Sequence, residues 1–285
     1  MITAMPRIAI AARDFAGIVA AFRDVLGMPV VDLSAYSAPN LGAKLAMCVP
    51  PGGSNIELMS PHDPAAPLSE SLTRFLARRG DGLFALMLEA PDPNAEAELL
   101  RARGLGVLPL MAGAGGRDVH PRSTHGVLIR VYPTASFQAQ PEQITRNEAR
   151  ALGLSGIARV VIAVSDAKRA RDTYERALGL RVLDAGIAAE RGVERVLVRA
   201  PSGGVIELAQ PLDVSRPFAA ALAQRLSTSG EGMAALVLCA RDPEAVGAAL
   251  LARGLIVDTR QAGAIEVDAR SLFGTRVIVE RAASA

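Results

Sequence analysis

Gly80-Asp-Gly-Leu-Phe-Ala-Leu-Met-Leu88 returns about 150 residues on as Gly230-Glu-Gly-Met-Ala-Ala-Leu-Val-Leu238. Both copies run into an Asp-Pro pair, Asp92-Pro93 and Asp242-Pro243, and then to Ala-Arg-Gly-Leu at 102–105 and 252–255. Working outward, Ile8-Ala-Ile-Ala-Ala-Arg-Asp14 answers to Val160-Val-Ile-Ala-Val-Ser-Asp166, and Val25-Leu-Gly-Met-Pro-Val-Val-Asp32 to Ala177-Leu-Gly-Leu-Arg-Val-Leu-Asp184. Asn55-Ile-Glu-Leu-Met-Ser-Pro61 answers to Val205-Ile-Glu-Leu-Ala-Gln-Pro211. Two unrelated apolar stretches would not keep order and spacing over four blocks, so the chain is a tandem duplication.

Each half is itself doubled: a short apolar strand, an Asp-capped amphipathic helix and further strands occur twice. Asp14 caps a helix whose apolar positions Ile18, Val19, Phe22 and Leu26 follow helical spacing, and Gly27 ends it. Asp166 with Gly179, Asp92 with Gly104 and Asp242 with Gly254 bracket three more. Strands follow around 44–50, 55–59 and 127–131, parted by turn clusters such as Pro50-Pro-Gly-Gly-Ser54. The pattern predicts an α+β chain of four βαβββ modules paired into two domains, residues 1–135 and 156–285. The polar, Gln-rich stretch 136–155 is the expected linker.

Composition narrows the function classes. Half the residues are hydrophobic and no apolar run is long enough for a membrane span, so a soluble globular protein is expected. The 31 basic and 29 acidic residues are scattered, and only 4% are aromatic with no Trp, which argues against a nucleic-acid partner. Cys48 and Cys239 are too few for a disulfide framework. Residues 1–6 lack the features of a secretory signal, so a cytoplasmic location is expected.

The strand, Asp-helix and Leu-Gly pattern, the Ile-Glu-Leu strand, the Gly-x-Gly strand and a final His-Pro-x-Ser-Thr-x-Gly-Val-Leu-Ile strand together resemble the vicinal oxygen chelate, or glyoxalase-like, superfamily. The first half is most similar to methylmalonyl-CoA epimerases. Gly42-Ala-Lys44, Ser54-Asn-Ile-Glu57-Leu, the segment ending Arg-Arg-Gly-Asp-Gly82 and Val119-His-Pro-Arg-Ser-Thr-His-Gly126 carry that similarity. The resemblance implies two glyoxalase-like domains with curved mixed sheets. In the family, four inner-face residues of each module pair hold a divalent metal that polarises a substrate oxygen.

Placing the family pattern on this chain puts Arg7, Glu57, Ala85 and Arg130 at the four positions in the first half, and Arg159, Glu207, Ala235 and Ile278 in the second. Guanidinium groups have no lone pair for a cation and alanine offers nothing. Taking Phe84 or Glu280 instead does not restore a ligand set, so neither metal nor cofactor is expected.

Strand alternation sets Arg7, Ala9 and Ala11 on one face, opposite Ile8 and Ile10, and turns Glu57 and Arg130 toward the same interior. Two arginines around one glutamate imply excess positive charge. One reading is a small carboxylate or phosphate bound by Arg7, Glu57 and Arg130, with Glu57 the candidate base if the protein is a metal-independent lyase, isomerase or epimerase. The other is an internal Arg7–Glu57 ion pair filling a vacated metal site. Arg159 and Glu207 read as a neutralised pair, with Arg276 within reach.

His120 is a further ligand-binding candidate, though it is read first as shaping its turn rather than transferring protons, and His125 is expected as a solvated loop histidine. Cys48, whose counterpart is Val198, reads as core. Gly-rich Ala112–Gly116 is weak evidence for a phosphate loop or a flap over the first cleft. A regulatory protein with empty clefts stays open as an alternative. The chain is expected as a monomer or a homodimer.

Overall fold

The computed structural model describes residues 1–111, 113, 115–259 and 263–283. Ala112 and Ala114, on which the Gly-rich loop reading falls, lie outside them.

The first half runs β1 (Ala4–Ala11), α1 (Phe15–Ala20), β2 (Val30–Asp32), α2 (Ser34–Leu41), β3 (Ala43–Cys48), β4 (Asn55–Pro61), α3 (Pro67–Arg79), β5 (Gly82–Ala90), α4 (Pro93–Ala102), β6 (Arg117–Val119), β7 (Leu128–Pro133) and β8 (Ile144–Thr145). The second runs β9 (Ile157–Ala163), α5 (Ala167–Asp172), β10 (Arg181–Ala188), β11 (Val193–Arg199), β12 (Val205–Pro211), α6 (Pro217–Ser229), β13 (Gly232–Ala240), α7 (Pro243–Ala252), β14 (Val257–Asp258), β15 (Ala264–Val267) and β16 (Val277–Arg281). Two open, mixed eight-stranded sheets result. Their orders, β6-β7-β5-β1-β4-β3-β2-β8 and β14-β15-β16-β13-β9-β12-β11-β10, correspond strand for strand apart from the ends.

The duplicated α+β architecture is therefore as the sequence predicts, with local departures. After α4 the expected strand is reduced to a single bridge, Val107 to Val119, whereas its counterpart β14 is formed. Within the 136–155 stretch, Ile144 and Thr145 pair with Val31 and Val30 and extend the first sheet.

Alternation in β1 sends Ile8 and Ile10 to one face and Ala9 and Ala11 to the other. The first face packs on Ile18 of α1 and on Phe22 and Leu26 just after it, and the core continues into Val160, Ile162, Tyr174 and Leu178 of the second half. Asp14 and Asp166 cap their helices as predicted, accepting from the Gly17 and Arg169 amides; each helix ends in a π-helical turn, at 21–25 and 173–177.

The opposite face forms a cup in each half. Helix α3 lies against the first through Leu68, Leu72 and Leu76, packed on Ala9, Ala11, Met59, Ala85 and Met87. Helix α6 does the same through Phe218, Ala219 and Leu222 on Val161, Ala209 and Ala235. The sequence pattern above does not contain these helices, although the signals exist: Pro67 at the first turn, leucines spaced by four and a Glu70–Arg74 ion pair.

Paired contacts join the halves. Arg103 Nη1 at the end of α4 donates to the Ala177 carbonyl (3.1 Å), and Arg253 Nη1 at the end of α7 donates to that of Val25 (2.6 Å). Gly126 (φ +76°) sits where a Cβ would come within 2.0 Å of the Glu231 carbonyl oxygen, and Gly274 (φ +66°) where one would come within 1.8 Å of that of Asp81. Only glycine fits both the conformation and the approach. Among the described residues no helix is long and apolar enough to cross a membrane.

Candidate functional site

The register of the first sheet brings the predicted site residues together. In the parallel β1–β4 pair Ala9 lies opposite Glu57, and in the parallel β5–β7 pair Met87 lies opposite Arg130, so Glu57 and Arg130 hold equivalent places in the two modules. Arg7 and Ala85 complete the set at the central strands. All four side chains are buried, with Arg7 5%, Glu57 7% and Arg130 1% exposed.

Arg7 Nε donates to Glu57 Oε2 (3.1 Å) and its Nη1 to Ser136 Oγ (3.1 Å). The guanidinium also lies over the Tyr132 ring, 4.7 Å from its centroid. The Arg7–Glu57 ion pair read from the sequence is thus formed.

Arg130 differs from expectation. Its Nε and Nη2 grip Asp118 in a fork (2.7 and 3.2 Å), and Nη2 also reaches Met111 Sδ at 3.3 Å. The predicted excess of positive charge is therefore corrected. Asp118 stands opposite Arg130 in the β6–β7 pair and balances it, and buried Glu89 accepts from Ser136 Oγ (3.5 Å) at the edge of the cluster. Burial works against the Arg130 charge, but Tyr132, Asp118 and Glu57 offset it, so its pKa is raised. One group is left over: among the described residues Arg130 Nη1 is buried with no hydrogen-bond partner. A buried donor without a partner costs about 1–3 kcal/mol and is the kind of group a bound acceptor satisfies.

The family's metal does not fit these residues. Two of the four positions carry guanidinium groups and the third is the methyl of Ala85, packed in the apolar cluster under α3. Among the described residues no group of three or more His, Cys, Asp or Glu is placed to hold a cation.

The second cup is closed on itself. Arg159 Nε donates to Glu207 Oε2 (2.8 Å), and its two terminal nitrogens grip Glu280 (2.7 and 2.6 Å). Arg191 takes the other Glu207 oxygen (2.5 Å) and stacks on Phe218, 3.8 Å from the ring centroid. The neutralised Arg159–Glu207 pair is real but belongs to a network of four, two arginines against two glutamates. Arg191 and Glu280 escaped the sequence reading as its members, and Arg276 is held by Glu266 (2.6 Å).

The histidines fall outside the cups. His120 caps the short turn 121–123, its Nδ1 accepting from the Arg122 amide (3.0 Å), as Asp268 does from Arg270 (2.8 Å) in the copy. It shapes a turn, as one of the two sequence readings had it. His125 is not a solvated loop residue: it is 8% exposed, its ring lying 2.9 Å from Glu231 Oε2 and 3.1 Å from Thr173 Oγ1, both in the other half. The domain junction buries it, which local sequence does not report. Cys48 is fully buried and burial pushes its thiol pKa up, as fits a core residue.

With this geometry in view, the chain was compared with known proteins. It matches the Glyoxalase/Bleomycin resistance protein/Dioxygenase superfamily over residues 7–120 and again over 158–270. No curated protein matches it. Among solved structures, a triple mutant of 4-hydroxymandelate synthase from Streptomyces coelicolor is 15% identical, with a TM-score of 0.65 over 100% of this chain and 94% of that one. A xylose isomerase-like TIM barrel/4-hydroxyphenylpyruvate dioxygenase fusion protein is 14% identical, with a TM-score of 0.63 over 100% of this chain and 50% of that one. Methylmalonyl-CoA epimerase from Mycobacterium tuberculosis is 22% identical over 46% of this chain and 90% of its own, with a TM-score of 0.41. At these identities the two whole-chain likenesses speak to the fold alone.

Proposed function

Because the chain belongs to the glyoxalase/bleomycin resistance protein/dioxygenase superfamily, we propose that it binds a small organic anion in its first cup, without a metal, and that its second cup is structural. The observation that supports this reading is the buried Nη1 of Arg130, without a partner among the described residues and on the same inner face as Arg7 and Glu57. In the second cup, by contrast, both Glu207 oxygens and all three Arg159 nitrogens are engaged. Asp118 holds the Arg130 fork so that only the free nitrogen addresses a ligand, while Glu57 is oriented by Arg7.

The reading is tested by calorimetric titration with a panel of small mono- and dicarboxylates. Losing a hydrogen bond from a charged donor is worth about 1.5–3 kcal/mol, so Arg130→Lys, which keeps the charge opposite Asp118, should weaken binding about 10- to 150-fold. Unchanged affinity in that variant, or no carboxylate bound at millimolar concentration by the parent, would refute the reading.

A second reading rests on Glu57. Among the described residues its only hydrogen bond is through Oε2 to Arg7, which leaves Oε1 free to accept a substrate proton in a metal-independent isomerase or lyase. Exchange of a ligand C–H proton for deuterium, abolished by Glu57→Gln, would distinguish catalysis from binding.

A further inference from the structure

A cavity opens between the two cups, and Phe75, Phe84 and Leu128 of the first cup's apolar cluster line part of it. A groove of about 1140 Å³ runs along the domain junction, lined on one side by α3 and on the other by α6. Its lining holds seven arginines against three carboxylates, and every carboxylate is already engaged. Asp81 accepts from the Arg13 backbone and side chain (both 3.2 Å), Glu266 holds Arg276, and Asp268 holds Arg270. Arg74 pairs with Glu70, outside the groove. Arg78, Arg79, Arg122 and Arg225 remain, none with a carboxylate partner among the described residues.

Two of these four line the groove from opposite halves of the chain. Arg79 Nη1, at the end of α3, donates to the Ser229 carbonyl at the end of α6. Arg225, on α6, has a single long hydrogen bond, Nε to the Gly232 carbonyl at 3.4 Å, so its terminal nitrogens are uncommitted. Arg225 is half-buried, and burial together with the Arg79 charge lowers its pKa to about 10. Two like charges lining one groove, with donors to spare, make a place that an anion would suit. Beside them the groove is apolar, lined by Phe75, Phe84, Leu128 and Met233.

We propose that this groove is a second ligand site, in which Arg79 and Arg225 clamp the phosphate group of a small organic phosphate while its apolar part lies along Phe75, Phe84, Leu128 and Met233. A phosphate dianion with three terminal oxygens answers two guanidinium forks from opposite domains better than a carboxylate does. Arg78 and Arg122 add to the attracting field. Its arginine clamp is separate from the Arg7, Glu57 and Arg130 cluster and does not depend on that cluster's function.

The experiment is a calorimetric titration with phenyl phosphate, inorganic phosphate and benzoate. Phenyl phosphate should bind tightest, and Arg225→Gln and Arg79→Gln should each weaken it at least about 10-fold, whereas Arg130→Lys should leave it unchanged. Arg79 is exposed, so Arg79→Gln tests the clamp even if Arg225→Gln disturbs packing. Without ligand, Arg225→Gln should be at least as thermostable as the parent, because it removes a repulsion. Affinity unchanged in both glutamine variants, benzoate or inorganic phosphate binding as tightly as phenyl phosphate, or loss of binding in Arg130→Lys would each overturn the proposal.

Discussion

Replacing Glu207 by glutamine removes the charge that two arginines share. Glu207 is fully buried, and the Arg159 and Arg191 side chains against it are only 18% and 11% exposed. Arg159 keeps its grip on Glu280 in the variant, but Arg191 loses the carboxylate it is hydrogen-bonded to and keeps only the more distant charge of Glu280. Removing one partner of a buried ion pair costs about 3–5 kcal/mol, because the other charge stays out of water uncompensated; removing both is often near neutral. Glu207→Gln should therefore lose about 3–5 kcal/mol, and Glu207→Gln/Arg191→Met should recover most of it. The chain has no Trp, so unfolding is best followed by far-ultraviolet circular dichroism in urea. With a slope of about 3 kcal/mol/M, the single variant should move the midpoint down by about 1–1.7 M and the double by much less. If the double variant proves no more stable than the single one, the loss is not one of charge balance, and the account of the second cup as a closed network fails.

Acid should act on the same network. Burial pushes the Glu280 pKa up, but the hydrogen bonds and charge of Arg159, with Arg191 and Arg195 beyond, outweigh it and hold it below the ordinary 4.5. Glu231 is similarly held down, burial being outweighed by Ser165 and His125. A carboxyl depressed in the folded state stabilises above its unfolded value, and that stability is lost as pH falls through the folded one. Melting temperature should therefore drop as pH falls below about 4.5, less steeply in Glu280→Gln; equal slopes would count against the assignment. At the junction, Gly126→Ala and Gly274→Ala should each cost about 2–6 kcal/mol, from left-handed strain plus overpacking, and raise the rate of limited proteolysis between the halves. Wild-type melting temperatures in both would refute the close approach.

What the sequence makes legible follows from the range of the forces involved. The duplication, the Asp-capped helices and the split of Ile8 and Ile10 from Ala9 and Ala11 are local patterns, and they stand in the fold. Arg7 with Glu57 and Arg159 with Glu207 could be paired because the repeat aligns their strands. Asp118 could not be foreseen as the Arg130 partner: the match needs the β6–β7 register, which no spacing in the chain reports. Arg191 and Glu280 reach the second cup from strand ends and turns for the same reason. His125 owes its burial to residues more than forty positions away in the other half. Helices α3 and α6 hid behind a weaker signal, since neither has the side-chain cap that announces α1, α4, α5 and α7.

The reciprocal seats of Arg103 on Ala177 and of Arg253 on Val25 also bear on inheritance. Two separate identical chains meeting across such a seam would be bound to match: any change in one cup would appear in the other. Joined end to end, the copies keep the seam's paired contacts while each cup becomes free to vary. One has become a keystone whose charges cancel within the protein, and the other has kept a donor uncommitted. Symmetry is retained where the halves must recognise each other and given up in the cups, where one set of charges cancels and the other leaves a donor over.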